Sequence, residues 1–379
     1  MTLKLTNLLA SSALALALSV PASIAYAGGH TKGEMDHSQH QMGGGEHEGH
    51  DMGASGHEGH DMGAGGMMKH GDHVMTPEMM DELRSKVTLF EKYSDQEIAL
   101  SMQMMGDNYP YYVSDAAVSG ETGVLLLAHG FGERGDKIFA ERLGGLSGIF
   151  PTSVSYGMSM MGSGHIQTSV DALVEKGAKR IVVVPVVSST DNTMYRQWEY
   201  IFGKRDEASY LSVPRIETEA EVLLSTAIDD NPIVADILLD NLDGLSEDPA
   251  NETVIIVSHG PQSEEDNIKA LEMLGNVAMI VEQDGGYANV IGMSLQDDAP
   301  PEIRDANVQK LRDKVAEETA AGKKVLIVSN LMSARSIQHK IRKDLQGLDY
   351  QFSNKGLVQH DDFIKWVEET VRYKLEDAS

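Results

Sequence analysis

Two histidines occupy matching places in two copies of one pattern. Gly123-Val124-Leu125-Leu126-Leu127-Ala128-His129-Gly130 aligns with Thr253-Val254-Ile255-Ile256-Val257-Ser258-His259-Gly260. Imidazole titrates near physiological pH and serves as metal ligand or proton acceptor, so His129 and His259 are candidates for both roles. A second set lies upstream, where nine of the fourteen histidines fall between His30 and His73. There a ten-residue unit repeats, His47-Glu48-Gly49-His50-Asp51-Met52 and then His57-Glu58-Gly59-His60-Asp61-Met62. The His-x-x-His-x-Met spacing lets two imidazoles and a thioether of one loop reach a single ion. Imidazole suits Zn, Cu, Ni and Co, while thioether selects Cu(I), which puts copper, nickel and cobalt in front for this segment.

The segment has almost no large apolar residue, so it is expected to be disordered without metal. A polar linker with incidental histidines is the plainer alternative, although linkers draw on Gly, Ser and Pro and seldom repeat a ligand triplet. Ligands without supporting contacts are poorly preorganised, which makes such an arm a store or delivery device rather than a catalytic site.

The elements that position His129 and His259 follow from hydrophobic patterning. Continuous apolar runs at 124–128, 181–187, 253–257, 277–281 and 325–328 read as strands, and the amphipathic stretches between them as helices. That pattern predicts α/β architecture with parallel sheets covered on both faces. Gly177-Ala178-Lys179-Arg180-Ile181-Val182-Val183-Val184 also matches Gly322-Lys323-Lys324-Val325-Leu326-Ile327-Val328. Two related halves are therefore expected, facing each other across a cleft, with a boundary near 244–251. A strand ending in His-Gly sets its imidazole at the carboxyl end, where open α/β sheets form their ligand crevice. Before the halves, Thr76-Pro77-Glu78 and the capping box Ser94-Asp95-Gln96-Glu97 predict two lead-in helices. Their methionines (Met75, Met79, Met80, Met102, Met104, Met105) are expected to pack as apolar residues, with a copper surface as the other reading. The expected division is 1–27, 28–75, 76–106, 107–247 and 248–379.

Residues 1–27 have a basic start at Lys4, a short apolar run and Ala25-Tyr26-Ala27, the pattern of a secretion signal cut after Ala27. A periplasmic or extracellular location is expected, with no membrane insertion after cleavage. Cysteine is absent, so metal ligands must be His, Met, Asp, Glu or backbone. The formal charge of -27 argues against nucleic-acid partners and favours cations.

Two other chemistries compete at these motifs. Gly130-Phe131-Gly132-Glu133-Arg134-Gly135 fits a dinucleotide-binding G-x-G-x-x-G, but an acidic residue on a clear second strand is missing, and Gly260-Pro261-Gln262-Ser263 drops the glycines. A serine hydrolase would use Ser159 and His360, yet Gly157-Met158-Ser159-Met160-Met161 supplies only half of a nucleophile elbow.

Across roughly 123–373, on the paired strands with their His-Gly ends and Arg134, the chain resembles the sirohydrochlorin cobaltochelatase and ferrochelatase family of CbiX type, as two tandem copies. The resemblance implies an enzyme, a lyase that inserts divalent Co, Fe or Ni into a sirohydrochlorin-type tetrapyrrole. It makes His129 the ligand of the incoming ion and His259 its copy, as second ligand or base. Glu133, Glu264 and Glu265 would steer cations inward, or simply open helices. Arg134, Arg142 and Arg196 are candidates to meet substrate carboxylates. The family's second His stands eight residues beyond the Pro of the later strand; from Pro185 that position is Thr193. In the second half the position is Ile337, with His339 two places on. The alternative is accordingly a non-catalytic metal-binding or storage protein on the same fold. His165 and His360 read as helix-start or surface residues.

Overall fold

The computed structural model describes residues 75–333 and 336–378, all within one compact unit, Met62–Ser379. The signal-like start and the ligands His47, His50, Met52, His57, His60 and Met62 lie outside the described residues.

Two helices lead in, α1 (Pro77–Lys86) and α2 (Asp95–Gln103). Thr76 caps the first with Pro77 in its opening turn, and Ser94 and Glu97 form the reciprocal capping box of the second. Then follow β1 (Tyr109–Tyr112), β2 (Thr122–Ala128), α3 (Glu133–Arg142), α4 (Gly144–Ser147), β3 (Thr152–Tyr156), α5 (Gly164–Glu175), β4 (Arg180–Val186), α6 (Thr193–Ile201), β5 (Glu221–Leu224) and α7 (Pro232–Leu242). The second series is β6 (Glu252–Ser258), α8 (Glu264–Gly285), β7 (Asn289–Ser294), α9 (Pro301–Ala320), β8 (Lys324–Ser329), α10 (Ser336–Asp344), β9 (Gln351–Phe352) and α11 (Asp361–Asp377).

The first sheet has the order β1-β3-β2-β4-β5 and the second β7-β6-β8-β9. All pairings are parallel except that β1 runs antiparallel to β3 at an edge. Alternation sends Val124 and Leu126 of β2 and Val254 and Ile256 of β6 into one core common to both sheets. Leu125 and Leu127 go instead to a core shared with α1, α2 and α5, and Ile255 and Val257 to one shared with α9 and α10. Because both faces of each sheet are buried, the central strands read as unbroken apolar runs. The common core also takes Val234 and Leu238 of α7, Leu274 and Val281 of α8, and Phe363 and Val367 of α11. The C-terminal helix packs back onto the first half, against α7 and β4. Among the described residues no helix is long and apolar enough to cross a membrane.

The run 277–281 is not a strand; it lies inside α8. Ala270, Leu274, Val277, Ala278 and Val281 are its buried residues, a helical stripe, while Met279 is exposed. The strand that follows β6 is instead β7. On the lead-in helices Met75 and Met102 are buried and Met104 is exposed. Apolar packing therefore accounts for the first two.

Candidate metal site at the carboxyl edges of the two sheets

β2 lies between β3 and β4, and β6 between β7 and β8. In each half the strand after the central one is laid on one side and the next on the other, the reversal of order at which open α/β sheets form a crevice. His129 and His259 are the first residues beyond β2 and β6. Each is followed by a glycine at positive φ, +103° for Gly130 and +73° for Gly260. At Gly260 a side chain would overlap Ser294 and press on the Gln296 backbone, so glycine is required for the turn to lie against the loop leaving β7.

Nδ1 of His259 lies 2.9 Å from the carbonyl oxygen of Gly260. A carbonyl only accepts, so Nδ1 carries the proton and Nε2 keeps its lone pair, the tautomer a metal ligand needs. At His129 the Gly130 backbone favours the protonated ring. Nε2 of His259 stands 3.8 Å from Oδ1 of Asp298, too far for a hydrogen bond but within the span of one ion bound at about 2.0–2.2 Å to each.

The halves meet here. His129 keeps much of its surface exposed, yet nearby protein desolvates it and draws its pKa below the ordinary value. Its Gly130 hydrogen bond and the charge of Asp298 oppose that shift, His259 adds to it, and Asp136 opposes it. His129, His259 and Asp298 are thus electrostatic neighbours where the halves meet. Asp136 is buried in the first turn of α3 and accepts hydrogen bonds from the Phe131 N–H and the Tyr109 hydroxyl, which fixes the loop behind His129. Asp298 was not among the sequence candidates. It follows β7, the strand displaced by reading 277–281 as extended.

Thr193, where the resemblance implies a second histidine, opens α6 at the same junction. Its hydroxyl oxygen lies 3.3 Å from Nε2 of Gln262 in the other half and 3.4 Å from Nη2 of Arg196. Arg196 makes a two-pronged ion pair with Asp266 of α8, at 2.6 and 3.0 Å. The pair borders a polar cavity of about 470 Å³. Its other cations are also matched, Arg205 with Glu199 at 3.1 Å and Lys269 with Asp191 at 3.4 Å. Arg142 pairs with Asp361 at 3.0 Å. Glu133 opens α3, and Glu264 and Glu265 open α8.

Other candidates have structural work. Ser159 is buried and accepts the Trp198 indole N–H at 2.6 Å, while His360 caps α11, so the two form no hydrolase pair. His165 is not a surface residue; it is buried in α5, where its Nδ1 has no hydrogen-bond partner. His339 is exposed on α10 and Ile337 packs into the second half's outer core. Among the described residues the three-residue group whose donor atoms all lie within 4.8 Å of one another is Asp240, His360 and Asp362, so the cleft trio is wider. In that tighter group Nδ1 of His360 accepts the Asp362 N–H at 3.2 Å, which leaves the proton on Nε2, donated to Asp240 at 2.9 Å. It is a helix cap clasping α11 to α7.

No family model matches the chain, and no curated protein matches it. Among solved structures it is similar to SirB from Bacillus subtilis with Fe3+, at TM-score 0.51 and 15% identity over 67% of this chain and 96% of that one. The two share a fold. A second similarity is to DR2241 from Deinococcus radiodurans, a multi-domain protein described as structurally similar to chelatases, at TM-score 0.41 and 16% identity over 66% and 54% of the chains. At 15% identity the likeness to SirB is one of architecture, and the chemistry of this chain rests on its own residues.

Proposed function

We propose that this chain is an exported chelatase-like protein that takes a divalent ion, Co, Fe or Ni, between its two halves and inserts it into a sirohydrochlorin-type tetrapyrrole. One observation carries the reading: the strand-end imidazoles of the two halves are electrostatic neighbours of one carboxylate, Asp298, which stands 3.8 Å from Nε2 of His259, itself held in the ligand tautomer by the Gly260 carbonyl. The ion is the substrate. His129 and His259 would offer Nε2 lone pairs and Asp298 a charge-neutralising oxygen. The wide spacing of the three suits transfer, because a tightly closed cage would keep the ion and leave no position for pyrrole nitrogens. Asp298 is also placed to accept a proton displaced from the ring. The signal-like residues 1–27 support export, and the His/Met units of the arm support delivery of ions to the cleft.

A non-catalytic store is the second reading, favoured by Thr193, whose hydroxyl is committed to Gln262 and Arg196. Anaerobic insertion of Co(II), Fe(II) and Ni(II) into sirohydrochlorin, followed by absorbance, separates the two. Chelatase action is expected to accelerate insertion for the full chain and for one lacking residues 30–73, and to vanish in His129→Ala. No acceleration, with tight binding confined to the arm, would establish the store.

A further inference from the structure

Asp298 is exposed, so its place beside His259 has to be set by the loop that carries it. That loop leaves β7 and is laced onto the end of β6. The Leu295 N–H donates to the Ser258 carbonyl at 3.0 Å, and the Asp297 N–H donates to the carbonyl of His259 itself at 2.9 Å. Between them Gln296 stands at φ +47°, one of two non-glycine residues at positive φ among the described residues. Such a conformation persists where the surroundings enforce it. Here Gln296 is buried, and its side-chain oxygen accepts an amide N–H of Asn307 on α9 at 3.0 Å.

A stronger clamp lies one residue on. The Asp297 side chain is 6% exposed and meets two cations. One carboxylate oxygen accepts from Nε of Arg304 on α9 at 2.7 Å, and the other from Nζ of Lys340 on α10 at 2.6 Å. Arg304 continues to Asp344, the last residue of α10, at 2.5 Å. Helix α9 leads from β7 to β8 and α10 follows β8, so the network joins elements attached to both strands that flank β6. Its two carboxylates and two cations balance. The matching methionine loop of the first half, Gly157-Met158-Ser159-Met160-Met161, has no carboxylate. An ion-pair network serving stability alone could join α9 to α10 anywhere along their length. This one centres on the residue that precedes Asp298 and is bonded through its backbone to His259.

We propose that Asp297, clamped by Arg304 and Lys340, is a positioning residue for the metal, fixing the backbone that holds Asp298 and His259 at a separation one ion spans. The proposal rests on the reading of His259 and Asp298 as metal donors. Exposed donors are poorly preorganised unless the contacts behind them fix their orientation. Loss of the clamp removes no donor; it loosens their geometry.

The test uses the full chain with every histidine of residues 30–73 changed to Ala and every methionine there to Leu, titrated anaerobically with Co(II). Binding is followed by the visible bands of bound Co(II), which report ligand geometry. The parent chain is expected to give bands that are lost in His259→Ala. Asp297→Asn and Lys340→Met should each weaken binding about tenfold or more and alter the bands, and Lys340→Arg should restore both. Lys343→Met, which removes a charge from an exposed residue of the same helix, should change neither. Bands lost in His259→Ala but unaltered in Asp297→Asn and Lys340→Met, whatever the affinity, would overturn the proposal alone. A parent chain without bands, or bands that survive His259→Ala, would overturn the reading of the donors and the proposal with it. Should Asp297→Asn fail to fold by circular dichroism, the Lys340 variants decide.

Discussion

His259 and His360 differ in what their ring nitrogens do. His259 donates its Nδ1–H to the next residue's carbonyl and keeps Nε2 toward Asp298, whereas His360 spends both nitrogens on a helix cap and a clasp. Loss of a supporting contact at a metal site costs about 10–100-fold in affinity, and loss of a ligand should cost no less. His259→Ala and Asp298→Asn are each expected to weaken Co(II) binding by at least about tenfold in calorimetric titration of a chain lacking residues 30–73. Retained affinity in both would place the ion elsewhere. His165 gives a prediction of another kind. Burial draws its pKa from 6.5 to about 4. The unfolded chain takes up that proton below pH 6.5 and the folded chain only near pH 4. Its contribution to stability is therefore whole above pH 6.5 and lost as pH falls toward 4. At 1.36 kcal/mol per unit the loss is ~3 kcal/mol. His165→Leu should flatten that part of the urea-denaturation profile; an unchanged slope would assign the titration to another group.

Among the elements, helix starts were the most legible feature. Thr76, Pro77, Ser94 and Glu97 act through contacts within one turn, so their geometry follows from local sequence. The error at 277–281 came from reading five apolar residues without the stripe from Ala270 to Val281 to which they belong. It also hid β7 and with it Asp298, because a loop cannot be assigned until the strand before it is known. The loop after β3 makes a sharper demand on one residue. Gly157 has φ +128°, and a side chain there would overlap Asn108. The backbone strain alone is about 1–3 kcal/mol. Gly157→Ala should lower the thermal midpoint measurably and disturb the methionine loop, while Gly144→Ala, which meets open space, should leave the midpoint nearly unchanged. Arg196 and Asp266 join α6 to α8 across the halves with little exposure. Arg196→Ala would leave Asp266 without its cation, at a cost of up to about 3 kcal/mol. Chemical denaturation of that variant beside wild type measures it.

For the whole molecule the decisive feature is one core common to both sheets, with α7, α8 and α11 in it. Phe139 of α3 meets Phe363 of α11 with ring centroids 6.2 Å apart, tying the chain's end to its first half. Residues 75–378 are expected to unfold in a single calorimetric transition, and two resolved transitions would show that the halves are energetically independent. Sequence by itself determined the α/β class, the parallel central strands and the pairing of His129 with His259, because strand periodicity and a duplicated motif are local, repeated signals. It could not determine which residues face them. Asp298, the Gln262–Thr193 bridge and the Arg196–Asp266 pair involve partners 39 to 70 positions apart along the chain. Such contacts leave no periodic trace in sequence, since they are set by how two sheets close on a common layer of helices. Only the tertiary structure decided that Asp298 stands beside the strand-end histidines, and that the position where the resemblance implies a second ligand is a polar seam between the halves.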